Sequence, residues 1–313
     1  MKPHPTCIHD ADMLKQLQAL PLDKKVLESR TRIAEWHDYW DGKVYVSFSG
    51  GKDSTVLLHL VRMDYPDVPA VFCNTGLEFP EIVKFVRQQE NVTWLRPKMN
   101  FKEVLDKYGY PVASKEVAQK LHEYRTTKSE KLRNKRWNGD DNRYRSGKIP
   151  EKWKFLAEAP FKVSHMCCAV MKKRPSKKYE RETGRKPFIG MMTEDSHFRK
   201  QTYLRRGCNA YDGRGRSMPL AFWREEDIWA FIRERELPYC EIYDQGYSNT
   251  GCVFCAFGAH KNSPNKFQQL EKSHPKLHRY CMEKLGMAEV LDFCGIPWTS
   301  QNDEKSGCAS PEE

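Results

Sequence analysis

The chain is 313 residues long with 39% hydrophobic and 30% charged side chains, enough to bury about two domain cores and too apolar for a disordered tail protein. No apolar run reaches the ~18 residues of a membrane span, and Met1-Lys2-Pro3-His4-Pro5 lacks the apolar stretch of a secretory signal, so a cytoplasmic protein with no membrane partner is expected. Lys and Arg total 53 against 42 Asp and Glu, a net charge of +11, which favours polyanions such as nucleic acid or a small phosphorylated substrate.

Residues 1–40 carry helical periodicity at Leu14, Leu17, Leu20, Val26, Leu27, Ile33 and Trp36 and predict an N-terminal helical layer. Residues 44–48 read as a short buried strand, followed by Ser49-Gly50-Gly51-Lys52-Asp53-Ser54 and a helix over 55–63. The plan repeats with a strand at 68–73, a turn at Asn74-Thr75-Gly76 and a helix at 80–89. A third strand at 92–95 precedes helical residues 101–107. Such alternation predicts an α/β fold, a Rossmann-like parallel sheet with helices on both faces, with ligands bound beyond the carboxyl ends of the strands.

The nucleotide-binding domain is assigned to 41–235, with a basic insertion at 115–160. Between Lys120 and Lys154 there are twelve Lys/Arg against five Asp/Glu, interleaved with Tyr124, Trp137, Tyr144 and Trp153. Lysines and arginines spread among aromatics suit a nucleic-acid backbone and unstacked bases. A second basic stretch, 172–186, leads to an expected strand at 188–192, and 225–235 reads as an amphipathic helix. Residues 236–300 form a cysteine-rich region with one helix near 267–285, and 301–313 a polar tail expected to be disordered.

Two residue patterns carry chemistry. In the 49–54 turn, two glycines let the backbone approach an anion, and the amides open at a helix N-terminus, where unpaired donors and the helix dipole bind phosphate. Lys52 adds a point charge, Ser49 and Ser54 add hydroxyls, and Asp53 is a candidate Mg²⁺ contact; the spacing is neither a Walker A loop nor a dinucleotide fingerprint. The second pattern lies among eleven cysteines, too many for a cytosolic chain to spend on disulfides. Cys252-Val253-Phe254-Cys255 can grip one metal, Cys167-Cys168 supplies a second pair, and Cys208 is a fifth candidate. Four thiolates suit zinc or an iron–sulfur cluster, and spacing does not choose. Cys73, Cys240, Cys281 and Cys294 read as small apolar fillers.

Ser-Gly-Gly-Lys-Asp-Ser after a buried strand resembles the PP-loop of the ATP pyrophosphatase superfamily. Further segments narrow the resemblance to its phosphoadenosine-phosphosulfate (PAPS) reductase-like branch, adenine nucleotide alpha hydrolase-like in fold. These are Asn74-Thr75-Gly76-Leu77-Glu78-Phe79-Pro80-Glu81, Cys167-Cys168 through Lys172 to Pro175, and Gly190 through Ser196 to Arg199. Pro219-Leu220 to Trp223 and Tyr243-Asp244-Gln245-Gly246-Tyr247 to Gly251-Cys252 complete a likeness spanning roughly 40–258. It implies an adenine nucleotide with its phosphates on Ser49, Gly50, Gly51, Lys52, Asp53 and Ser54. Thr75 and Gly76 would lie beside the nucleotide, and Arg199 would meet phosphate or sulfate. It also implies a 4Fe-4S cluster on Cys167, Cys168, Cys252 and Cys255, with Cys208 replacing one of the pair if that is displaced.

The chain departs from the reductases of this branch. Their Glu-Cys-Gly-x-His string is missing, and the last cysteine, Cys308, lacks both the Glu and the His; Met192 and Asp195 stand where Arg and Glu are expected. The favoured expectation is an ATP-dependent sulfurtransferase, with Lys52 and Arg199 stabilising phosphate charge, Mg²⁺, a nucleic-acid acceptor and a cysteine desulfurase as sulfur donor. The alternatives are a PAPS or adenosine-phosphosulfate (APS) reductase, its nucleophile Cys308 or an external thiol such as thioredoxin, and a nucleic-acid-binding protein with a regulatory nucleotide pocket.

Overall fold

The computed structural model describes residues 10–139, 147–213 and 215–300. Its strands are β1 (Val44–Ser47), β2 (Ala70–Cys73), β3 (Val92–Leu95), β4 (Val112–Ala113), β5 (Lys186–Ile189), β6 (Asn209–Ala210), β7 (Arg216–Ser217) and β8 (Ala256–Phe257). Six of them form one sheet in the order β3-β2-β1-β5-β7-β6. Every pairing is parallel except β6 with β7. The expected α/β sheet is therefore present, with a single antiparallel edge.

Side-chain alternation along β1 explains how both faces are covered. Tyr45 points to one face, where its hydroxyl donates to Glu180 at 2.9 Å and its ring meets Tyr179 edge-on at 5.2 Å. Phe48, three residues on, faces Phe85 of the helix Pro80–Arg87 at 6.5 Å. The N-terminal helices Ala11–Gln18 and Leu22–Tyr39 pack on the same unit through fully buried Ile33 and Trp36. Ser29 Oγ there donates to the Pro219 carbonyl and accepts from Trp223 Nε1. Lys25 pairs with Asp227 at 2.6 Å, at the start of the helix Glu225–Glu234.

The chain forms two compact units. The first contains the described residues up to Asn74, together with Glu78–Arg96 and Pro175–Thr250. The second contains Thr75–Leu77, Pro97–Arg174 and the described residues from Gly251 onward. Within the second unit, β4 pairs with β8 in parallel, Val112 opposite Ala256. The basic segment, with helices Lys115–Thr126 and Glu130–Trp137, thus shares a unit with the C-terminal cysteines.

Three sequence expectations need correction. The helix near 267–285 is broken: Lys266–Ser273 ends at His274, whose ψ is 64°, and a new helix starts at Pro275. A proline lacks the N–H for the preceding turn and forces its predecessor out of the helical region. The strand expected at 188–192 lies at Lys186–Ile189. Just past its end, Gly190 passes so close to Asp53 and Ser54 that a β-carbon would sit 3.1 Å from the Asp53 carbonyl. The helix after the first strand begins at Lys52, three residues early, so half of the glycine turn is its first turn. The tail at 301–313, with Cys308, and Tyr144 lie outside the described residues. Among the described residues no helix is long and apolar enough to cross a membrane.

Candidate functional site

β1 is flanked by β2 on one side and β5 on the other; the connection from β1 runs to β2 while that from β5 runs the opposite way to β6 and β7, which opens a crevice at the carboxyl ends of β1 and β5. The 49–54 loop occupies that position. Gly50 has φ +75°, and a β-carbon there would strike Val86 Cγ2 at 2.8 Å. Only glycine satisfies both demands without strain. Gly51 is the N-cap of Lys52–Asp64, with no side-chain cap of its own.

The serines tie the loop to itself. Ser49 N–H donates to Ser54 Oγ at 3.1 Å, Ser54 Oγ donates to the Gly51 carbonyl at 2.9 Å, and the two hydroxyls lie 3.0 Å apart. Gly51 N–H donates to Ser49 Oγ at 3.3 Å and Lys52 N–H to Tyr243 Oη at 2.9 Å. Two of the amides expected to face an anion therefore carry hydroxyl acceptors in this structure.

Lys52 is 6% exposed and ringed by acceptors. Its ammonium lies 3.2 Å from Glu225 Oε1, 3.5 Å from Asp53 Oδ1 and 3.3 Å from the Ser248 carbonyl. Burial pulls its pKa down, but Asp53, Tyr243 and Glu225 outweigh burial and raise it. Asp53 runs the other way: burial raises its pKa, the charges of Asp195 and Glu225 add to this, and Lys52 offsets only part. Its buried Oδ1 makes no hydrogen bond of good geometry and faces the Lys52 ammonium at 3.5 Å, which offsets part of the cost of burying it. Arg199, in the helix His197–Arg206, is paired with Asp195. Sequence reasoning gave no role to Glu225, Asp195, Tyr243 or Thr250. No spacing signal links them to Lys52, because they lie more than 140 residues further along the chain, Asp195 after β5 and the others after β7.

In the second unit, Cys167, Cys168, Cys252 and Cys255 line one small pocket together with Leu77, Phe101 and Lys172. Cys167 and Cys168 end a helix that passes directly into a π-turn, Ala169–Lys173, a distortion frequent at functional sites. Their sulfurs lie 4.0 Å apart. The Cys168 thiol is pulled down by Cys167 and by the charges of Lys115, Lys172 and Lys173, against its burial. Burial raises Cys255, and Lys266 Nζ donates to the Cys252 carbonyl at 3.1 Å. Four sulfurs among lysines match the donor chemistry of a thiolate-bound metal centre. As they stand, no three His, Cys, Asp or Glu among the described residues are grouped as ligands of one ion.

Cys208 is not among these four. It belongs to the first unit, where burial pushes its thiol up to about 12 beside Arg32, Glu28 and Glu35. Cys240 and Cys281 are buried and Cys73 and Cys294 half-buried. Thr75 and Gly76 belong to the second unit, where Thr75 is buried and its hydroxyl accepts from Leu77 N–H at 3.2 Å. In the basic segment, Tyr124 stacks on Trp137 at 5.0 Å, Lys154 lies over Trp137 and Trp153 is buried. Those rings are packed against their own neighbours, while Lys128, Lys131 and Arg133 remain exposed.

The profile of the family described as phosphoadenosine phosphosulfate reductase domain matches residues 43–257, about two thirds of the chain. An adenosine 5'-phosphosulfate reductase of Staphylococcus epidermidis is 26% identical, over 79% of this chain and 85% of its own length. An uncharacterized protein of Methanocaldococcus jannaschii is 24% identical over 82% of this chain and 51% of its own, so this chain spans about half the length of that relative. Among solved structures, the phosphoadenylyl-sulfate reductase from Candida auris in its phosphate complex is 17% identical with a TM-score of 0.43, covering 78% of this chain and 95% of that one.

Proposed function

The chain belongs to the phosphoadenosine phosphosulfate reductase domain family, and from that premise we propose that it is an ATP-dependent sulfurtransferase. The triphosphate rests on the 49–54 loop, with Lys52 and Arg199 countering its charge. An oxygen of the acceptor attacks the α-phosphate, pyrophosphate leaves, and the acceptor becomes its adenylate. The terminal sulfur of a persulfide delivered by a desulfurase then displaces AMP, and a dithiol such as thioredoxin cleaves the resulting disulfide, becoming oxidised itself and leaving sulfur where oxygen was.

The observation that carries this reading is Asp53. Its buried carboxylate is paired with Lys52 alone at 3.5 Å on Oδ1, and burial with the charges of Asp195 and Glu225 raises its pKa, so acidic groups outnumber the cation beside them. Asp53 with Asp195 or Glu225 would hold Mg²⁺, which would supply charge neutralisation for a departing pyrophosphate, an ion that thiol attack on a sulfonucleotide has less use for. Cys167, Cys168, Cys252 and Cys255 would hold a 4Fe-4S cluster, its charge balanced by Lys115, Lys172, Lys173 and Lys266. Bound there, the cluster would supply a soft metal centre for sulfur. The net charge of +11 and exposed Lys128, Lys131 and Arg133 favour a nucleic-acid acceptor.

The test is pyrophosphate release from ATP and Mg²⁺ by anaerobically purified protein, with nucleic acid as acceptor. Release that Lys52→Ala abolishes is expected; undiminished release in that variant refutes the assignment. A second reading, sulfonucleotide reduction, draws on the Staphylococcus epidermidis relative named for it. It predicts sulfite from PAPS or APS with thioredoxin, and loss of that activity in Cys308→Ser if Cys308 is the nucleophile.

A further inference from the structure

Residues 241–250 lie across the glycine loop. Tyr243 Oη accepts from Lys52 N–H at 2.9 Å, and the Ser248 carbonyl accepts from Lys52 Nζ at 3.3 Å. A β-carbon on Gly51 would lie 2.7 Å from Thr250 Oγ1 and 3.2 Å from Tyr243 Oη. These hydroxyls thus fill the space against the backbone through which a phosphate would approach. The segment is pinned from outside by Lys84 to Glu241 at 3.1 Å, Gln245 to Glu81 at 3.3 Å and Tyr239 to Asp244 at 2.9 Å. Trp229 packs edge-on against Tyr243 at 5.4 Å.

We propose that Tyr243 and Thr250 gate the loop, their hydroxyls standing in for phosphate oxygens and withdrawing when an oxyanion of a nucleotide binds. The inference rests on the reading of 49–54 as a phosphate site. An N–H at a helix start needs an acceptor. The phenol meets that need with a neutral hydrogen bond, and a phosphate oxygen replaces it with a charge-assisted one, roughly twice as strong. One acceptor displaces the other, because both require the same donor and the same space over Gly51. The gate therefore sets a threshold: weakly accepting solutes leave the segment in place, and only a multiply charged oxyanion that also engages Lys52 opens it.

Tyr243→Phe removes the competing acceptor and keeps the ring against Trp229. Thr250→Val removes the second hydroxyl with little change in volume. The unmodified protein and both variants are titrated with ATP and with inorganic pyrophosphate, by calorimetry and by tryptophan fluorescence. The expected result is binding about three- to ten-fold tighter in Tyr243→Phe, the worth of one neutral hydrogen bond, with a smaller gain in Thr250→Val. A fluorescence change on binding to the unmodified protein should accompany it, as Trp229 loses its neighbour. Binding to the unmodified protein that is equal to or tighter than in Tyr243→Phe overturns the gate and leaves the phosphate site standing. The absence of binding of either ligand to all three proteins overturns the phosphate site, and the gate with it.

Discussion

At the 49–54 loop, six consecutive residues fix one another: two serine hydroxyls bridge the turn, Gly50 adopts a conformation few other residues tolerate, and the helix starts inside the motif. The four cysteines of the second unit have little comparable local support. They come from two segments some 85 residues apart, one contact joins neighbouring sulfurs, and their setting is made by lysines around them. The loop carries its geometry in its own backbone. The cysteine pocket has the right chemistry in one place, and its final ligand arrangement depends on what it binds.

That contrast can be broken most severely at the sulfurs. Cys252→Ser or Cys168→Ser should remove essentially all iron and acid-labile sulfide from anaerobically isolated protein, measured by metal analysis and absorbance. Cys208→Ser, in the other unit, should leave both unchanged; equal loss in all three would dissolve the distinction. At the loop, Asp53→Asn should lower Mg²⁺-dependent pyrophosphate release by about 10²-fold, read as a lost response to Mg²⁺ titration. A smaller effect is expected from Gly50→Ala, which puts a β-carbon at positive φ and against Val86. It should cost about 2 kcal/mol of stability in urea unfolding, and Val86→Ala should restore part of it. The smallest change belongs to the exposed cations. Lys131→Ala and Arg133→Ala should each reduce the salt dependence of nucleic-acid binding by roughly one unit of slope, leaving nucleotide binding untouched.

Four of the six strands were readable as short apolar runs, and β3 lies where periodicity placed it; β6 and β7, two residues each, left no pattern to read. The loop was readable because its six residues are contiguous. Glu225, Tyr243 and Thr250 were not legible as parts of the site, since only the sheet order brings them to Lys52. The shared unit of the basic segment and the cysteines was equally hidden. It depends on two-residue strands, Val112–Ala113 and Ala256–Phe257, too short to leave a pattern. The aromatics of the basic segment looked available as stacking platforms, yet Tyr124 and Trp137 satisfy each other. Composition cannot tell a ring offered to a ligand from a ring offered to its neighbour.

The pairing of β4 with β8 joins residues about 140 positions apart. During synthesis, at ~5–20 residues per second, Val112 and Ala113 must wait several seconds or more for their partner strand to leave the ribosome. Cys167 and Cys168 wait with them, since Cys252 and Cys255 immediately precede β8. Through that interval the nascent chain presents two adjacent thiols without their eventual companions, so maturation of the second unit waits on translation of β8 and is exposed to oxidation before it is complete.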